Sequence, residues 1–176
     1  MALRPIVLYP DPVLLSPTRP VERVDDEVRE LVLDLVDTMH AAPGIGLAAN
    51  QVGVPWRVCV VDLTAGEQPD ALHVFINPRI VKEQGSQLGD EGCLSFPDIT
   101  LEVRRSLEVT VDALDEQGEP FSLSADDLLA RVILHECEHL DGRTFLRNVS
   151  SLKRDLVKTQ IRKRIRAGDW VAAAAP

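Results

Sequence analysis

The sequence predicts an α+β protein in which antiparallel β-sheets pack around a central metal-binding helix, with one further helix towards each end. Three observations carry this. Residues 25–42, DDEVRELVLDLVDTMHAA, place apolar side chains at 28, 31, 32, 35, 36 and 39, the rhythm of an amphipathic helix. The middle of the chain alternates apolar and polar residues as strands do. Residues 124–142, SADDLLARVILHECEHLDG, return to helical periodicity and carry two histidines four apart.

An irregular, proline-punctuated start precedes the first helix, which ends at Pro43 and Gly44. The next stretch, PGIGLAANQVGVP, is rich in glycine and small residues and short of polar groups for a surface loop, so its backbone is expected to approach something closely. Strands are expected at WRVCVVDL (56–63), at LHVFINPRIV (72–81) and along one long run, LEVRRSLEVTVDALD (101–115), before the turn EQGEP. The helix at 124–142 reads as opened by a capping box of Ser124 and Asp127 and stopped by Gly142. A last helix, SLKRDLVKTQIRKRIRAG, leads into an alanine tail, so residues 152–176 form a basic helix and tail. No repeat or linker interrupts the chain, and 1–176 reads as one domain.

With 28 acidic and 19 basic residues and a formal net charge of −9, the overall field repels nucleic acid, and any contact with it must be local. The N-terminus has no apolar h-region with a small-residue cleavage site, and no run of about 18 apolar residues occurs, so a cytoplasmic protein without membrane contact is expected. Three cysteines, Cys59, Cys93 and Cys137, are an odd number without paired spacing and argue for reduced thiols.

On a helix each residue advances about 100°, so His135 and His139 lie about 40° apart, one turn above the other, and both imidazoles reach one metal ion. Glu136 falls about 60° from His139, beside the ion, where a general base acting on water belongs. Burying two histidines and a glutamate in a helix otherwise rich in Leu128, Leu129, Val132 and Ile133 is costly without partners, and a metal answers that cost. Zinc proteases with this pattern usually take a third ligand downstream, yet no histidine or glutamate follows His139. The upstream candidates are His40, His73 and the cysteines, of which Cys93, within GDEGCLSFP, is preferred.

Three phrases, GIGLAANQVG (44–53), EGCLSFP (91–97) and HECEHLDG (135–142), stand in the order found in peptide deformylases, and together they resemble that family. The resemblance runs from DPVL at 11–14 to the last helix. It implies a divalent ion held by Cys93, His135 and His139, Fe(II) in the cell, with Zn, Ni or Co accommodated by the same donors. An open fourth position marks such a site as catalytic. It also implies that Glu136 is the general acid/base, that Gln51 and the Leu94 N–H stabilise the oxyanion, and that Gly46 bonds the substrate backbone. The implied reaction is hydrolysis of the formyl group from formyl-methionyl nascent peptides, with an apolar methionine pocket at Ile45, Leu128 and Val132.

Three positions depart from the family's usual pattern: Leu134 stands in place of glutamine, Glu138 in place of aspartate, and Asn50 in place of proline. Glu91 is expected to pair with Arg105 and hold the Cys93 turn. Lys153, Arg154, Lys158, Arg162, Lys163, Arg164 and Arg166 concentrate cations on the last helix, and relatives are thought to dock at the ribosome through this element, where a basic patch suits RNA phosphates. The rival readings are an HExxH metallopeptidase and a non-catalytic protein with a structural metal.

Overall fold

The computed structural model describes residues 2–172. Seven strands and three α-helices follow one another: α1 (Asp26–Ala41), β1 (Gly46–Ala48), β2 (Val58–Val61), β3 (His73–Gln84), β4 (Gln87–Gly92), β5 (Thr100–Arg105), β6 (Glu108–Leu114), β7 (Pro120–Asp126), α2 (Asp127–Leu140) and α3 (Ser151–Ala167). They form a five-stranded sheet in the order β1-β2-β3-β6-β7 and a separate β4-β5 pair. Every neighbouring pair is antiparallel.

Strand β2 explains how the layers are arranged. All four of its residues are buried, because successive side chains point to opposite faces and both faces are covered. Val58 and Val60 join Val28, Leu31, Leu35 and Met39 of α1 in one apolar cluster. Cys59 and Val61 join Ile133, Cys137 and Leu140 of α2 in another. The two helices therefore lie on opposite faces of the sheet. A third cluster joins Val157 and Ile161 of α3 to Phe96, Ile99 and Val103, so the last helix packs beside the small sheet.

The first helix begins where its capping residue dictates: the Asp25 carboxylate accepts a hydrogen bond from the Val28 N–H at 3.2 Å. Gly142, at φ +70, ends α2 in the left-handed conformation, and a side chain there would meet the Ser16 backbone. Two expectations need correction. The run 101–115 is two strands in different sheets, broken at Ser106 and Leu107, whose N–H donates to the Gln84 carbonyl and hands the chain from the small sheet to the large one. The capping box is absent: Ser124 lies within β7 opposite Thr110, and the helix is capped at Asp126 without a side-chain bond. Strands β1, β4 and β7 also lay outside the strand-like segments read from the sequence.

Asp62, just beyond β2, ties α1 to the segment that enters the site. Its carboxylate accepts from the Thr64 N–H and hydroxyl and from the Gly66 N–H, and it pairs with His40 Nε2 at 2.9 Å. Its own N–H donates to the Ile45 carbonyl. Burial pushes this carboxyl up, but the bonds from Thr64, His40 and Gly66 outweigh it and hold the pKa at about 2, below the ordinary 3.8. A depressed carboxylate contributes stability that is whole above its unfolded pKa and is lost as pH falls through the folded one. The stability advantage of the wild type over Asp62→Asn is therefore expected to be full at pH 6 and to shrink between about pH 4 and pH 2, as read from urea midpoints along the pH series.

Candidate active site

Helix α2 presents His135, Glu136 and His139 from its last two turns, and all three are buried. Cys93 follows the last residue of β4, in a turn closed by a hydrogen bond from the Phe96 N–H to the Cys93 carbonyl. This brings one donor atom each from Cys93, His135 and His139 within 4.8 Å of one another, the one such cluster among the described residues. His139 Nε2 lies 3.2 Å from Cys93 Sγ. Neither His40 nor His73 is in the cluster. Cys59 and Cys137 are core thiols: burial pushes Cys137 up to about 12 and Cys59 well above its usual value.

Glu91, the penultimate residue of β4, organises the metal-ligand side of the site. Its carboxylate takes Arg105 through Nε at 2.8 Å and Nη2 at 2.9 Å, Arg131 Nη1 at 2.8 Å and His135 Nδ1 at 3.0 Å. Burial raises its pKa, yet His135 and Arg105 hold it at about 2. A permanent anion on Nδ1 fixes that nitrogen as the protonated one and leaves Nε2 to face Cys93. Arg105 continues to Glu138 at 2.8 Å, and Glu138 accepts from Asn148 at 2.9 and 3.0 Å. The pair expected between Glu91 and Arg105 is thus buried and bidentate.

The residues fit a divalent ion. One sulfur and two imidazoles converge, and a carboxylate orients one of those imidazoles, as in sites that bind a divalent ion. Burial pushes His139 well below its ordinary pKa, which frees its lone pair for coordination. His135 is driven down by burial but held well above its usual value by Cys93 and Glu91, so ligation there displaces a proton. Beside the donors, Glu136 Oε2 is buried without a hydrogen-bond partner in the structure, a position that suits exchange with a reacting group.

Burial, with Glu91's negative charge adding to it, lifts Glu136 to about 7 against the pull of His135 and Arg105. Gly46 on β1 runs alongside it so closely that a Cβ would come 2.5 Å from Glu136 Oε1 and 2.8 Å from Val132 Cγ1. That contact accounts for the glycine-rich segment. The Gln51 amide is oriented by the backbone three residues before it: Oε1 accepts from the Ala48 N–H at 2.9 Å, so Nε2 points to Cys93 Sγ at 3.5 Å and Ser95 Oγ at 3.2 Å.

One cavity of about 650 Å³ gathers these groups. Gln51, Cys93, Leu94, His135 and Glu136 line its floor, and His139 lies behind them, 1 % exposed. Ile45, Gly46, Leu128 and Val132 line the same cavity, with Leu128 half exposed and Val132 buried. Sequence reasoning missed Arg131, although it stands one turn before His135 on the same helix face, and Ser95, which shares the Gln51 amide. It also missed that Asp98, Arg164 and Val171 line the cavity, for which no local pattern gives a signal.

The polypeptide deformylase family model matches residues 3–155. The chain belongs to that family. A peptide deformylase of Acidobacterium capsulatum is 49 % identical over 170 residues, covering 97 % of this chain and all of the relative. One from Neisseria gonorrhoeae is 48 % identical over 93 % of this chain and 97 % of its own. Among solved structures, the deformylase of Legionella pneumophila superposes with a TM-score of 0.87 at 38 % identity, covering 95 % of this chain and 98 % of that one. The Ehrlichia chaffeensis deformylase, solved in complex with actinonin, gives 0.85 at 37 % identity over 93 % and 98 %. As a deformylase-family chain, this one is a hydrolase with a Cys/His/His site for a metal.

Replacing Glu91 with alanine strips His135 of its acceptor and leaves two arginines buried without it. Metal affinity is expected to fall by about 10- to 100-fold, with about 3–5 kcal/mol of stability lost. Metal content after dialysis against a graded chelator, read beside the urea midpoint, measures both, and full metal retention in Glu91→Ala contradicts the assignment.

Proposed function

We propose that this protein removes the formyl group from the N-terminal formyl-methionine of nascent polypeptides, with residues 1–176 acting as one cytoplasmic domain and Fe(II) as the ion. Deformylation follows from family membership. The observation that carries the residue roles is a buried carboxyl group, unpartnered at Glu136 Oε2, placed beside three converging ligand atoms and an oriented amide. A soft thiolate with two imidazoles accepts Fe, Zn, Co or Ni, and the choice of Fe(II) follows the family.

A divalent ion held by Cys93, His135 and His139 supplies a Lewis acid that polarises the formyl oxygen and acidifies water. The chain's residues do the rest. Glu136 takes a proton from the attacking water, whose oxygen adds to the formyl carbon. The negative charge that develops on the formyl oxygen meets the Gln51 Nε2–H and the Leu94 N–H. Losing one such donor typically costs about 100- to 1,000-fold in rate. Glu136 then gives its proton to the methionine nitrogen as the C–N bond breaks, leaving formate and a free amine. A pKa near neutrality suits a group that must both accept and return a proton. The Gly46 backbone aligns the substrate chain beside Glu136, and Ile45, Leu128 and Val132 receive the methionine side chain.

Anaerobic formate release from a formyl-methionyl peptide tests this reading. Glu136→Ala is expected to lose at least about 100-fold in kcat while keeping its metal, and chelation is expected to abolish turnover until Fe(II) is restored. A metal-loaded wild type that yields no formate, or that cuts internal peptide bonds instead, overturns the reading.

The same chain is proposed to contact the ribosome through α3. Lys153, Arg162, Lys163 and Arg166 are exposed, with Leu152 and Leu156 open beside them at 69 % and 62 %. Arg164 is excluded from that face, since it bonds the Pro97 carbonyl and Asp98. No described helix is long and apolar enough to cross a membrane. Charge reversal at Lys153, Arg162, Lys163 and Arg166 together is expected to abolish salt-sensitive co-sedimentation with ribosomes while formate release persists. Unchanged co-sedimentation removes the proposal.

A further inference from the structure

The cavity is larger than a formyl-methionyl residue requires: about 650 Å³ lies in the range that encloses a drug-sized ligand. Its floor holds the reacting groups. Its lining also includes Asp98, Arg164, Val171 and Ala172. A substrate anchored at the floor by its formyl end has to leave through the mouth, because the polypeptide continues beyond its first residue.

Part of that lining belongs to a segment fixed in place. After α3 the chain turns at Gly168, φ +78, and Trp170 packs against the apolar cluster that holds Phe96 and Ile99. The Trp170 indole N–H donates to the Tyr9 carbonyl at 2.7 Å, and Tyr9 stacks on Phe96 with ring centroids 4.8 Å apart. The Arg164 guanidinium lies 5.0 Å from the Trp170 ring centre and bonds the Pro97 carbonyl, Asp98 Oδ2 and the Asp169 carbonyl. Six contacts thus tie residues 169–170, through Tyr9 and Arg164, to the loop at 96–98. Past the anchor, Val171 stands 63 % exposed on the cavity wall. An anchored segment with an uncovered aliphatic side chain facing a cleft has little to contribute to the core and much to offer an extended chain.

We infer that residues 168–172 are a substrate-binding strap: Trp170 and Arg164 position it, and Val171 and Ala172 contact the peptide residues that follow the methionine. The favoured ligand is an extended formyl-peptide of at least three residues with an apolar side chain beyond the second. This rests on the deformylase reading, and it adds a subsite that discriminates by length.

The test compares the full chain with a chain ending at Trp170, which keeps the anchor, on formyl-Met-Ala and on the formylated tetrapeptide Met-Ala-Val-Ser. Truncation is expected to raise KM for the tetrapeptide about tenfold, the value of one partly buried aliphatic group, with kcat little changed. KM for formyl-Met-Ala, which stops short of the strap, is expected to shift less than about twofold. Trp170→Ala is expected to reproduce the split by freeing the strap. Equal shifts for both substrates indicate a merely structural tail and overturn the inference, as does no shift for either. A wild type that releases formate from both peptides upholds the deformylase reading whatever the truncation does. Release from neither brings down both.

Discussion

A single buried carboxylate, Glu91, holds this structure's functional half together. It bonds two guanidinium groups and an imidazole at once, joining the β4-β5 pair to α2. The small sheet has no strand neighbour in the large one, so without that joint nothing in the ladders would fix Cys93 against the histidines. A buried anion is tolerable only when paired and fully bonded, and here the pairing reaches outward to Glu138 and Asn148, which balances the second arginine. The same bond that joins the layers also fixes which nitrogen of His135 faces the metal donors. Architecture and coordination therefore share one interaction.

The departures from the family's usual residues fit into this arrangement. Leu134 is 8 % exposed and joins the apolar cluster beneath the large sheet, so no polar group is left unpaired there. Glu138 keeps a carboxylate on Arg105 and takes both Asn148 bonds with its longer arm. Asn50 is buried and donates to the His139 carbonyl at 2.6 Å, steadying the last turn of the helix. Leu134 and Glu138 are met locally, Asn50 leaves its Oδ1 buried without a hydrogen-bond partner in the structure, and none of the three replaces Cys93, His135 or His139.

How much of this was legible in the sequence depended on whether the controlling interaction is local. Helical spacing was enough to place His135 and His139 on one face, because the geometry of one turn decides it. The apolar rhythm of α1 likewise matched the residues it buries. Cys93 stood out through the company of its phrase, since 42 residues and three strands separate it from His135 and no periodicity spans that distance. Strand β4, QLGDEG, carries no apolar alternation, for its pairing with β5 and the bonds of Glu91 make it a strand. The capping box failed for the opposite reason: Ser124 has the right spacing, but its hydroxyl lies against Thr110 across the sheet at 3.1 Å, and the ladder outweighs the cap. Arg131 was hidden because an arginine in an apolar helix carries no sign of its partner.

The deepest consequence lies in two carboxylates that the fold treats oppositely. Glu91 and Glu136 are both buried, and burial raises both. Cations then decide the outcome. Glu91 sits within bonding distance of Arg105, Arg131 and His135 and is held at about 2. Glu136 has no direct cationic bond, feels Glu91's charge as a further upward push, and rests at about 7. Environments that drive like groups apart suit them to different work: Glu91 is held as an anion, and Glu136 is lifted towards neutrality. Gly46 completes the separation. By having no side chain it leaves the Glu136 carboxyl room beside the cavity, so the carboxylate held as an anion and the one lifted towards neutrality keep distinct environments within one small volume.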